Sequence, residues 1–119
     1  MSTCIAQPAE ITTAGGIPKI IQEFIGRVNT GTETVSIAKM HSAAGWSEPG
    51  QTPAFDEYTI VLQGTVCIKT KEGLFEISAG QAFIAPRGEW VQYSTPEDAE
   101  YIAVCVPAFS PGLAHRDAE

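Results

Sequence analysis

From residue 35 onward, apolar and β-branched positions come in runs of four to six residues, each ended by turn residues. The runs are Val35 to Met40, Tyr58 to Leu62, Val66 to Thr70, Leu74 to Ile77, Ala82 to Ala85, Trp90 to Tyr93 and Tyr101 to Val106. Between them stand Ala44-Gly45, Pro49-Gly50, Gln63-Gly64, Glu72-Gly73, Ala79-Gly80, Arg87-Gly88 and Thr95-Pro96, residues that favour reversals of the chain. Short strands at even spacing, with no helix between them, predict an all-β sandwich or closed barrel. Closure also removes the exposed strand edges that invite aggregation.

The first 34 residues read differently. Met1 to Gly16 is small and polar with a Gly15-Gly16 break, the pattern of a loosely tied arm. Then Ile17, Ile20, Ile21, Phe24, Ile25 and Val28 follow at spacings of 3, 1, 3, 1 and 3, the apolar stripe of a short helix with Pro18 in its first turn. The same stretch is rich in β-branched residues and contains Gly26, so an edge strand is the rival reading. The expected organisation is an N-terminal arm with a short helix or edge strand over 1–34, a barrel over 35–107 and a tail over 108–119.

Composition narrows the function. Hydrophobic residues make up 44% and charged ones 18% of the 119, as in a globular domain. No apolar run approaches the roughly 18 residues that span a bilayer, and Met1 to Glu10 lacks the basic and apolar segments of a signal peptide, so no membrane partner is expected. Seven basic against fourteen acidic side chains give a net charge of −7. Such a surface repels phosphate backbones, and without a basic run in the sequence no nucleic-acid partner is expected. Cys4, Cys67 and Cys105 are odd in number and form no CxxC pair, which points to a reducing, cytoplasmic location. Cys67 and Cys105 lie among apolar strand residues and read as buried, inert thiols.

The turn positions carry a more specific pattern. Gly45, Gln51, Pro53, Glu57 and Gly64 are spaced as G-x5-Q-x-P-x3-E-x6-G; Gly80, Pro86, Gly88, Val91 and Thr95 follow as G-x5-P-x-G-x2-V-x3-T. Both resemble the two cupin motifs, G-x5-H-x-H-x3-E-x6-G and G-x5-P-x-G-x2-H-x3-N, with the three histidines and the asparagine replaced. The stretch from Phe55 to Tyr58, with Val61 to Gly64, is similar to the cupin domain of the ethanolamine-utilisation Q protein, a branch that also lacks those histidines. This resemblance implies a small single-domain cupin, a double-stranded β-helix or jelly-roll barrel. Gly64 and Gly80 fall where turns between strands call for a positive φ.

The resemblance implies metal-ligand positions at Gln51, Pro53, Glu57 and Val91, of which only Glu57 has kept the family's ligand. Three imidazoles and a carboxylate hold the usual transition metal. One carboxylate does not, so oxygenase chemistry is set aside and the cofactor expected is at most a weakly bound divalent metal at Glu57. Strand alternation puts Thr59 on the face of Glu57, and Tyr93 on the face of Val91. Glu48 and Gln51 then belong at the mouth, walled by Trp46. Asp56 faces the opposite way from Glu57 and reads as a solvated charge. His41 is out of register with the motif and His115 sits in the tail, so surface or capping roles are expected of both.

Two functions follow from this set. One is a binding module that holds a small polar or aromatic molecule in a pocket centred on Glu57, through Glu48, Gln51, Thr59, Val91 and Trp46. The alternative is an isomerase- or lyase-type enzyme in which Glu57 acts as general acid or base and Tyr93 is its partner, since burial raises a carboxyl's pKa toward neutrality. Small cupins resemble one another in pairing through an outer sheet face. A homodimer is therefore expected, with residues 17–28 covering that face.

Overall fold

In a computed structural model describing residues 2–12 and 16–117, the chain forms ten strands and one short helix. They are β1 (Ala9–Thr12), β2 (Lys19–Ile25), β3 (Ser36–Ser42), β4 (Trp46–Ser47), β5 (Asp56–Gln63), β6 (Thr65–Thr70), β7 (Gly73–Ser78), β8 (Ala82–Ala85), β9 (Val91–Thr95), β10 (Ala99–Val106) and α1 (Pro111–Ala114). Two antiparallel sheets result, ordered β1-β2-β3-β10-β5-β8 and β4-β9-β6-β7. This is the all-β class expected of the strand pattern and the jelly roll that the cupin resemblance implies.

Period-2 alternation builds the inner faces. Thr59 and Val61 of β5, Val91, Tyr93 and Thr95 of β9, and Ala99, Tyr101, Ala103 and Cys105 of β10 are buried, while Tyr58, Ile60 and Leu62 face outward. Val61, Val66, Ile68, Val91, Tyr93 and Tyr101 join Trp46 in the main core. Each such Val or Ile side chain contributes roughly 1.5–3 kcal/mol by leaving water. A second cluster of Phe55, Cys105 and Ala114, with Phe109 and Leu113 against it, ties the tail to the barrel. Gly64 is obligatory at its turn: its φ is +75°, and a Cβ there would collide with the Asp98 carbonyl oxygen.

The N-terminal region departs from the helical reading. Residues 19–25 form a strand that pairs with β3 along its length, and Ala9–Thr12, within the stretch read as an arm, adds β1 beside it. Gly15 of the expected Gly15-Gly16 break lies outside the described residues. Strand pairing wins because it satisfies the backbone groups of β3, which a helix would leave open. The inward face of β2 is Lys19, Ile21 and Glu23, and the two charged residues are more deeply buried than most of the isoleucines. Residues 19–25 of the segment 17–28 are thus built into the sheet of their own chain.

Candidate functional site

Glu57 lies on β5, opposite Cys105 of β10 and Ala85 of β8. It opens into a cavity of about 260 Å3 that is also lined by Lys19 and Glu23 of β2, Tyr93 of β9 and Tyr101 of β10, and by Glu48, Gln51 and Arg116. The chain wraps this cavity from both ends. Gln51 and Val91 exchange both backbone hydrogen bonds at 2.9 Å, which turns the Gln51 side chain inward, where it is 3% exposed. The tail runs beside that loop: Thr52 N donates to His115 O at 3.2 Å, Ala54 N to Leu113 O at 2.8 Å and Asp117 N to Gly50 O at 2.8 Å. Trp90 Nε1 donates to Asp117 Oδ2 at 2.8 Å, and the strap so fixed delivers Arg116 to the rim.

Charge is concentrated here. Lys19 Nζ stands 4.2 Å from the centroid of the Trp46 ring, a cation–π contact. It is 4.0 Å from Glu48 Oε2, and Arg116 Nη2 is 3.5 Å from the same oxygen. Of the chain's seven Lys and Arg residues, three (Lys19, Arg27 and Arg116) line this one cavity.

Burial pushes the Glu57 carboxyl up from its ordinary 4.5 to about 7, with the Glu48 charge adding to the rise and Lys19 and Arg116 opposing it. The Tyr93 phenol is held well above its usual 10, first by burial and then by the charges of Glu57 and Glu48, so it stays a neutral donor. Burial, followed by Glu57, raises the Cys105 thiol, which makes it inert. Tyr101 and Ser42 share a buried hydrogen bond of 2.9 Å. By contrast, Gln51 Oε1, Thr59 Oγ1 and Tyr93 Oη are buried with no hydrogen-bond partner among the described residues. Unpaired buried polar atoms are expensive, and two of these three residues line the cavity.

The structure thus brings Glu48, Gln51, Glu57 and Tyr93 around one space. Thr59 is buried on the same strand face as Glu57, outside the lining. Val91 packs into the core, and Trp46 is a core residue that serves the site by carrying the Lys19 ammonium on its ring. Asp56 is paired with Arg87 at 3.1 Å on the outside, and this guanidinium holds its carboxyl below the ordinary value. His41 and His115 are both exposed. Lys19 and Arg116 join the site without a motif to announce them; the one signal for Lys19 is a lone cation inside the apolar run Ile17 to Ile21.

The residues do not fit a cupin metal. Gln51 and Glu57 are the two ligand positions with a donor atom, since Pro53 and Val91 have none. Among the described residues no three His, Cys, Asp or Glu side chains converge, and a neighbouring ammonium and guanidinium further disfavour a bound cation. Among those residues, too, no helix is long and apolar enough to cross a membrane.

No protein-family model matches the chain. In sequence it is similar to a protein named endoribonuclease YbeY from Myxococcus xanthus (strain DK1622), 44% identical over 101 residues, which is 83% of this chain and 34% of that protein. The chain therefore spans about a third of the length of the curated relative it matches. In structure it is similar to the EutQ protein of Clostridium difficile, with a TM-score of 0.66 at 21% identity over 79% of this chain and 71% of that one. An RmlC-like cupin from Shewanella frigidimarina superposes with a TM-score of 0.70 at 14% identity, over 83% of this chain and 85% of the other. Oxalate decarboxylase from Bacillus subtilis does so with 0.74 at 14% identity, over 98% of this chain and 33% of the other.

These findings correct three sequence readings. Assignment to small cupins of the ethanolamine-utilisation Q type gives way to the 44% likeness to a protein named endoribonuclease, against which 21% to EutQ is a likeness of fold. The small-molecule binder, and with it the isomerase- or lyase-type alternative, is overturned by the same relative, whose name points to RNA. The exclusion of nucleic acid falls for the same reason, and its physical weakness is visible. A net charge of −7 averages over the whole surface, whereas three of the seven cations line one cavity, where they face Glu23, Glu48 and Glu57. The chain has the cupin jelly-roll fold, and its sequence likeness is to one part of a longer protein named for cutting RNA.

Proposed function

We propose that this chain acts in RNA processing, as a jelly-roll module whose Glu57 cavity admits one nucleotide of a single-stranded RNA and moves a proton on it. The observation that carries the RNA assignment is the 44% identity over 101 residues to a protein named endoribonuclease. The geometry adds the chemistry. A carboxyl that titrates at about 7 is half ionised at neutral pH, the condition for a general base that takes the proton of a ribose hydroxyl. The unpaired Tyr93 hydroxyl and Gln51 Oε1 offer one donor and one acceptor to a splayed-out nucleotide, the usual way single-stranded RNA is read. An overall charge of −7 disfavours tracking along a long backbone, so recognition is confined to the cavity.

One observation favours a second reading: two-thirds of the relative's length lies outside the matched segment. On that reading the module binds RNA, and the groups that cleave belong to another part of the machinery.

A short fluorescent single-stranded RNA tests both. Anisotropy reads binding and a denaturing gel reads cleavage, at low salt. The wild-type chain is expected to bind and shorten the RNA, and Glu57→Gln to bind it and leave it whole. RNA bound but intact with the wild type decides for the second reading. RNA neither bound nor shortened by folded protein overturns both.

A further inference from the structure

We propose that Lys19 and Arg116 form a seat for a phosphate monoester inside the cavity, and that the Glu48 carboxylate is the internal anion that holds this seat until the phosphate displaces it. The identity of the phosphate's carrier, a nucleotide, rests on the RNA reading above; the seat rests on its own geometry.

Lys19 is buried and Arg116 is about half exposed, so the two cations run from the depth of the cavity to its rim. Both approach a single oxygen of Glu48, at 4.0 and 3.5 Å, beyond good hydrogen-bonding range. No hydrogen bond from the Lys19 ammonium, the Arg116 guanidinium or to the Glu48 carboxylate is found among the described residues. A buried ammonium with its donors unspent, beside one loosely held carboxylate, is a poor end state for groups this enclosed. A phosphate, with three terminal oxygens, engages both cations and leaves an oxygen for a further donor.

A second, independent observation points the same way. Tyr93 and Gln51 are 4% and 3% exposed, line the same cavity, and have no partner for Tyr93 Oη and Gln51 Oε1 among the described residues. Tyr93 supplies the donor to a phosphate oxygen. Gln51 Oε1 accepts from a hydroxyl or amino group of the attached nucleoside, which a free phosphate ion lacks. Charge agrees as well. The charged lining is Lys19, Arg27 and Arg116 against Glu23, Glu48 and Glu57, so protonation of Glu57 leaves one positive charge for an anion to balance.

Calorimetric titration of the full chain with inorganic phosphate, uridine 3′-monophosphate and uridine tests the seat, using wild type, Glu48→Gln, Arg116→Gln and Lys19→Met. Expected results are binding of both phosphate compounds, at least tenfold weaker binding of uridine, and at least fivefold tighter phosphate binding by Glu48→Gln. Arg116→Gln and Lys19→Met should each weaken phosphate binding tenfold or more. Lys19→Met removes a buried cation and is the variant most prone to misfold, so Glu48→Gln and the rim variant Arg116→Gln are the deciding pair. Mononucleotide held tenfold tighter than phosphate identifies a nucleotide seat, and equal affinity identifies one for the free ion; either upholds the seat. Phosphate affinity that is absent, or equal in wild type, Glu48→Gln and Arg116→Gln, overturns it. If the seat behaves as expected while RNA is neither bound nor cut, the RNA reading falls and the seat stands. RNA bound by a folded chain that has no phosphate affinity overturns the seat and leaves the RNA reading.

Discussion

Glu57→Gln should make the protein more stable at pH 8 and leave it unchanged at pH 4. The folded chain holds the Glu57 proton until about pH 7, against an ordinary value of 4.5, chiefly because the carboxyl is buried. Below pH 4.5 the group is protonated both folded and unfolded, so it does not penalise folding. Between 4.5 and 7 the unfolded chain releases a proton that the folded chain keeps, and stability falls as pH rises. Above 7 both forms are ionised and the loss is constant. At roughly 1.4 kcal/mol for each tenfold difference in proton affinity, the rise is worth about 3 kcal/mol as a ceiling. Lys19 and Arg116 gain from the Glu57 charge once it forms, and a glutamine N–H pointed toward them is unwelcome, so about 1–3 kcal/mol is the expected gain at pH 8. Urea unfolding followed by tryptophan fluorescence reads this, as a midpoint shift of about 1 M for a slope of 1–3 kcal/mol/M. The comparison is the gap between variant and wild type at the two pH values, which removes every group the two proteins share. A gap of the same size at pH 4 and pH 8 would refute the burial of an ionisable Glu57.

Two further stability predictions separate local from buried causes. Gly64→Ala combines a φ of +75° with a Cβ driven into the Asp98 carbonyl oxygen and should lose about 3 kcal/mol or more; Gly80→Ala, at φ +87° with nothing within 4 Å, should lose about 1–2 kcal/mol by thermal melting. Ser42→Ala strands the buried Tyr101 hydroxyl and should lose about 1–3 kcal/mol, whereas adding Tyr101→Phe removes the stranded group and should recover part of it; a double variant as weak as the sum of the singles contradicts this account.

Strand period and turn chemistry are local properties, and both were legible. The runs from residue 35 onward became β3 and β5 to β10 with ends shifted by a few residues, and Ala82–Ala85 kept its bounds. The same alternation put Glu57 and Tyr93 on inward faces, because the side-chain period of a strand is two wherever the strand lies. Residues 17–28 resisted because an apolar stripe at helical spacing and a β-branched strand are the same letters. The decision came from the open backbone groups of β3, which lie in another part of the chain. For the same reason the charged face of β2 was hidden: nothing near Lys19 in sequence says that Glu48, Trp46 and Arg116 will surround it. The sequence by itself therefore determined the all-β class, the turns and the inward register of β5 and β9. Only the tertiary structure decided which charges meet, since a buried ion cluster is assembled from residues 19, 48, 57 and 116 by sheet closure, and contacts so far apart along the chain leave no trace in its local pattern.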